Sequence, residues 1–116
     1  MDLDEAIQKH AEWKVKFRAA INKQETMDVA TIRQDNGCAL GKWLHGEGQS
    51  QHRGKAAFTN VVAKHADFHR SAGKVADAIN AKKYAAAETM LGGGTEYAFA
   101  SSAVAAAISA LTKELR

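Results

Sequence analysis

The chain has 116 residues, enough for one domain with a real hydrophobic core. Its 16 basic and 13 acidic residues leave a formal charge of +3, and the basic residues form no aromatic-interleaved run of the kind that lines a nucleic-acid groove. No stretch approaches about 18 uninterrupted apolar residues, and the opening Met-Asp-Leu-Asp-Glu lacks the basic start and apolar core of a signal peptide, so neither a membrane span nor secretion is expected.

Proline is absent and alanine recurs throughout, which favours helix. Residues 3–23 read as an amphipathic helix, with Leu3, Ile7, His10, Trp13, Phe17 and Ile21 recurring at three and four. The segment 24–52 is less regular. Val29, Ile32 and Arg33 continue a helical face until Asp35-Asn36-Gly37 breaks it. Residues 38–44 then form a short helix carrying Cys38, with Asp35 or Asn36 as N-cap, and 46–50 reads as a turn. A long helix over about 52–80 carries the stripe Phe58, Val61, Val62, His65, Phe68, His69, Ala72, Val75, Ala76 and Ile79. A last helix is expected over about 82–115, with the seam Tyr97, Ser101, Val104, Ile108, Leu111 and Leu115. Gly92-Gly93-Gly94 interrupts it. Each glycine costs a helix about 1 kcal/mol relative to alanine, so the run marks either a break or a close approach of a neighbouring backbone.

Four residues carry metal-ligand chemistry: His10, Cys38, His65 and His69. The last two, in His-Ala-Asp-Phe-His, sit four apart and share one face of a helix. One thiolate and three imidazoles suit tetrahedral Zn²⁺ and leave no open position for a substrate. His10 and Cys38 are nearly equidistant from the turn near 24–26, and Cys38 and His65 from the turn near 50–52. At about 1.5 Å of rise per helical residue, such equal arms return all three to one height. The spacing therefore predicts an all-α, antiparallel up-down four-helix bundle, with a residue near Tyr97 level with His65 on the fourth helix.

His45 and His52 read as surface residues beside the glycine-rich turn, with His45 the alternative ligand in place of His10. Trp13, Phe17, Phe58 and Phe68 read as core. Asp35 and Asp67 read as surface or capping residues, the alternative being that one fixes a histidine tautomer from behind. The pattern argues against an enzyme. Ala66 occupies the place where a His-Glu-x-x-His metalloprotease has its general base, inward Glu-x-x-His pairs of a di-iron bundle are missing, and no Ser-His-Asp set or phosphate-cradling loop is present. A metallohydrolase with a labile ligand position is the remaining enzymatic rival. A single cysteine cannot close an internal disulfide, which fits a reducing compartment. Oxidation of a zinc-bound Cys38 thiolate to sulfenate would weaken one of four zinc bonds and loosen the bundle, whereas an inert zinc staple would not respond.

His10-Ala11-Glu12-Trp13, Gly37-Cys38-Ala39-Leu40-Gly41-Lys42-Trp43-Leu44 and His65-Ala66-Asp67-Phe68-His69 together resemble the chemoreceptor zinc-binding (CZB) domain family. The resemblance covers nearly the whole chain and implies that His10, Cys38, His65 and His69 are the zinc ligands. Trp13, Leu40, Gly41 and Trp43 match structural positions of the motif. It further implies a cytoplasmic bacterial sensory module, usually a homodimer. Such modules accompany chemotaxis signalling regions or diguanylate cyclases and sense zinc or oxidants such as hypochlorous acid through the bound cysteine. No signalling or catalytic region accompanies the domain in this sequence. The expectation is thus a single domain, residues 1–116, excised from or acting with a signalling protein. The Ala/Ser-rich stretch 98–110 suits close helix packing, within the bundle or across a dimer.

Overall fold

A computed structural model describes residues 1–115. Helix α1 (Leu3–Lys23) matches its expected bounds because both ends carry a local stop. The Asp2 carboxylate accepts the Glu5 N–H at 3.0 Å, and Asp4 and Glu5 sit at the positive end of the helix. At the other end Gln24 turns left-handed, with its N–H directed to the Ala20 and Ile21 carbonyls. Leu3, Ala6, His10, Phe17 and Ala20 form the buried face.

The second quarter contains three short helices, α2 (Val29–Arg33), α3 (Ala39–Leu44) and α4 (Glu47–His52). Asp28 caps α2, accepting the Thr31 N–H at 3.2 Å and the Thr31 hydroxyl at 2.7 Å. Residues 46–50, expected as a turn, instead run into α4. Gly48 is what permits this, since a Cβ there would lie 2.8 Å from the Trp43 ring. The glycine serves a close helix approach and not a chain reversal. His52, expected at the surface, is half-buried against Trp43 and Phe58, with ring centroids 5.7 and 6.1 Å away.

Helix α5 (Ala56–Asn80) is the longest and most buried element, and it packs along α7 (Glu96–Leu115), with α1 against both. Between them the expected last helix is split: α6 (Tyr84–Met90) ends before the glycines and α7 starts after them. Gly94 takes a φ of +77°, open to glycine at little cost, and no atom lies within 4 Å of a Cβ built there or at Gly93. The run is therefore a break and not a contact site. Thr95 closes it: its hydroxyl lies 2.8 Å from the Met90 and Gly92 carbonyls and accepts the Ala98 N–H at 3.2 Å. On α7 the expected Tyr97, Val104, Ile108 and Leu111 are buried, while Ser101 is half-buried and Leu115 exposed. Ala100 and Ala107 complete the buried face.

The Asn80 side chain accepts the Met27 N–H at 2.7 Å and donates to the Met27 carbonyl at 2.8 Å, fixing the connection after α1 against the end of α5. The Arg33–Asp77 pair at 2.9 Å ties α2 to α5. Both partners are more than half exposed, so the pair orients more than it stabilises. All seven helices and no strand are found among the described residues, and none of these helices is long and apolar enough to cross a membrane.

Candidate metal centre

Three separate elements deliver four donors to one point. His10 comes from the middle of α1, His65 and His69 from successive turns of α5, and Cys38 from the loop that enters α3. One donor atom from each lies within 4.8 Å of all the others. The Nε2 atoms of His65 and His10 are 3.1 Å apart, and those of His69 and His65 3.0 Å. Cys38 Sγ stands 3.8, 3.2 and 3.6 Å from the Nε2 atoms of His10, His65 and His69. Bonds of about 2.0 Å to nitrogen and 2.3 Å to sulfur in a tetrahedron require edges of about 3.3 Å (N–N) and 3.6 Å (N–S). These five separations fit one small ion.

The tautomers fit as well. His10 Nδ1 donates to the Ala6 carbonyl at 2.7 Å and His69 Nδ1 donates to the Ile32 carbonyl at 2.8 Å. A carbonyl only accepts, so each Nδ1 carries the proton and each Nε2 presents a lone pair inward. Lone pairs crowded at about 3 Å repel unless a cation lies between them. His65 is fully buried, and its Nδ1 has no partner. Its orientation is set by packing.

Burial lowers the pKa of all three imidazoles and takes His65 down to about 2, with the neighbouring rings adding to the effect there. Burial also pushes the Cys38 thiol up, opposed by the N–H groups of Gly41 and Leu40. The histidines are thus held neutral and ready to ligate. The metal-free chain should lose stability in acid for the same reason. Folded-state values lie below the unfolded 6.5, so the unfolded chain binds more protons as pH falls. Stability is then complete above about pH 6.5 and declines below it. Thermal unfolding of chelator-treated protein across pH 8 to 5 checks this, and a flat profile would contradict it.

Cys38 is itself the N-cap of α3, where Asp35 or Asn36 was expected: Sγ accepts the Gly41 N–H at 3.3 Å. The chain reaches this position through a tight crossing, since a Cβ on Gly41 would fall 1.8 Å from the Asp35 carbonyl oxygen. Convergence is therefore reached by a route other than equal helical arms, because residues 24–52 do not rise as one continuous helix. Tyr97 lies one layer away from the histidines, against Phe68 and Phe17 at 5.6 and 5.8 Å.

His45 is not among the four donors, because its Nε2 pairs with Asp35 at 3.1 Å on the exposed side. Asp35 thus holds only His45, and Asp67 pairs with Arg70, so neither carboxylate fixes one of the three donor histidines. That role falls to two backbone carbonyls that the sequence reading did not name. Ile32 had a local signal: it lies in the last turn of α2, where carbonyls lack helical partners. Ala6 is four residues before His10 on the same helix face. Phe68, read as core, also walls the site, edge-on to His10 at 5.2 Å and to His69 at 5.5 Å.

Among known proteins, the family model described as the chemoreceptor zinc-binding domain matches residues 10–76, a span that contains all four donors. No curated protein and no solved structure matches the chain.

Proposed function

The chain belongs to the chemoreceptor zinc-binding domain family, and we propose on that basis that it is a regulatory domain holding one Zn²⁺ through His10, Cys38, His65 and His69. The observation that carries the reading is the meeting of three imidazole nitrogens and one thiol sulfur within 4.8 Å of one another, with five of the six separations between 3.0 and 3.8 Å. Bound zinc supplies charge that keeps the thiolate ionised and ties α1, α3 and α5 together. Four protein donors complete the coordination, which speaks for a regulatory domain and against a metallohydrolase. In this reading the chain is an up-down four-arm bundle: α1, the α2–α4 segment, α5, and α6–α7. It works in the cytoplasm as a homodimer, under a signalling region of the same or a partner protein, either a chemotaxis region or a diguanylate cyclase.

The sensing atom is Cys38 Sγ. The three histidines are buried, whereas Cys38 is half-buried and, with His10, lines a surface groove of about 280 Å³ beside Trp13 and Leu40. Hypochlorous acid would oxidise the thiolate by forming an S–O bond as the O–Cl bond breaks. Sulfur gives up two electrons and chloride leaves. Sulfenate is the poorer zinc ligand, so the tie between α3 and the other helices loosens. The experiment is a stepwise hypochlorite titration of the zinc-loaded protein, following zinc release with a chromogenic chelator and Cys38 by mass. Release in step with Cys38 oxidation supports the sensor. Oxidation of other residues with zinc fully retained leaves a structural zinc staple that holds a dimer.

A further inference from the structure

Helix α7 supplies no donor to the metal centre, yet one of its side chains reaches the aromatic layer beneath it. Tyr97, on the first turn of α7, is only 4 % exposed and packs edge-on against Phe17 of α1 and at a tilt on Phe68 of α5. Phe68 in turn stands edge-on to both His10 and His69. These two histidines come from different helices, and this one ring touches both. The remaining buried residues of α7 are Ala100, Val104, Ala107, Ile108 and Leu111, none of them aromatic. The Tyr97 ring is therefore the aromatic link from α7 to the layer that walls the donors.

Two further features set Tyr97 apart. Its hydroxyl is buried with no hydrogen-bond partner, an arrangement that costs free energy where phenylalanine would pack without it. The turn that carries it also follows directly on the Gly92–Gly94 break and is held by the Thr95 cap and by Glu96. The Glu96 carboxylate lies 3.0 Å from Lys74 Nζ and 3.3 Å from Ser71 Oγ of α5. The first turn of α7 is thus tied to α5 by a polar contact outside and by an aromatic one inside.

We infer that Tyr97 is a positioning residue that reads the metal centre through Phe68 and sets the first turn of α7 accordingly. This rests on the zinc reading given above. With the ion bound, His10 and His69 are drawn to one point and present fixed edges to Phe68, which fixes the surface Tyr97 packs on. When a ligand bond is lost, the two rings are no longer held together. Phe68 follows them, and the Tyr97 ring with its unpaired hydroxyl takes a new position.

The chain has two tyrosines, and the second is an internal control. Tyr84 is half-buried on α6 and makes no ring contact with Phe68 or the histidines among the described residues. Fluorine NMR of the fluorotyrosine-labelled full chain, assigned with Tyr84→Phe, follows both residues while zinc is removed by a chelator and then restored. Zinc content is measured on the same samples. The expected result is a reversible shift of the Tyr97 resonance with Tyr84 unmoved, and Phe68→Leu, still zinc-loaded at the start, loses most of that shift. A Tyr97 resonance that stays in place while zinc demonstrably leaves would overturn the inference. So would equal shifts of both tyrosines, or a full Tyr97 shift in Phe68→Leu. Failure to bind zinc at all is a separate outcome, which counts against the zinc reading itself and removes the event Tyr97 is inferred to read.

Discussion

Gly41→Ala is expected to cripple metal binding although it alters none of the four donors. In an ordinary helix interior the same change is favourable by about 1 kcal/mol. Here the added methyl would lie 1.8 Å from the Asp35 carbonyl oxygen, 2.8 Å from its carbon and 3.0 Å from the Asn36 Cα. All three are backbone atoms, so no side chain can rotate away. The 35–38 loop must shift, and Cys38 Sγ, now 3.2 to 3.8 Å from three imidazole nitrogens, moves with it. The Gly41 N–H that caps onto Sγ is displaced in the same step. The steric term outweighs helix propensity, and a zinc affinity lower by about 10–100-fold is expected, the range typical when support of a ligand is lost. Competition with a chelator of known affinity measures it. Gly93→Ala, where a Cβ meets nothing within 4 Å, is the control and should bind normally. Equal affinity in the Gly41 variant would mean that the crossing at Asp35 is not what places the thiolate.

Cys38→Ala should have the larger effect. It removes the one charged donor and leaves three neutral imidazoles, so the affinity loss should exceed the roughly 100-fold upper range of indirect changes. It also removes the N-cap of α3, worth about 1 kcal/mol. Cys38→Ser separates the two contributions. A serine hydroxyl is a good N-cap but a poor zinc donor, so this variant should recover the stability of the metal-free chain while zinc binding stays weak. Thermal unfolding with and without chelator, together with the competition assay, distinguishes them. Unchanged affinity in Cys38→Ala would remove the thiolate from the ligand set.

The legible parts of this chain are those governed by short-range rules. The bounds of α1 follow from Asp2 and the three-and-four spacing, and the pairing of His65 with His69 follows from one turn of helix. Equal helical arms also predict that His10, Cys38 and His65 meet, and their donor atoms do lie together, but the chain reaches that point differently. Equal arms require residues 24–52 to climb as a helix, whereas the chain instead makes α2, a tight loop and α3. That loop depends on Gly41, whose closeness to Asp35 has no signature in spacing. Gly46 and Gly48 mislead in the opposite sense: the pair reads as a turn, yet Gly48 permits α4 to lie against Trp43. Gly92–Gly94 left two readings open, and empty space around Gly93 and Gly94 decides for a break. The orienting groups behind His10 and His69 are backbone carbonyls, which every residue carries, and the place of Ile32 in the last turn of α2 is the one local signal for either. Only the folded position of Ala6 and Ile32 makes theirs matter.

His10, Cys38, His65 and His69 are proposed to close around a single zinc ion. X-ray absorption at the zinc edge on the purified chain tests it most directly. One zinc per chain is expected, in a four-coordinate shell of three imidazole nitrogens at about 2.0–2.1 Å and one sulfur at about 2.3 Å. A shell without sulfur, or one expanded by water oxygens, would contradict it.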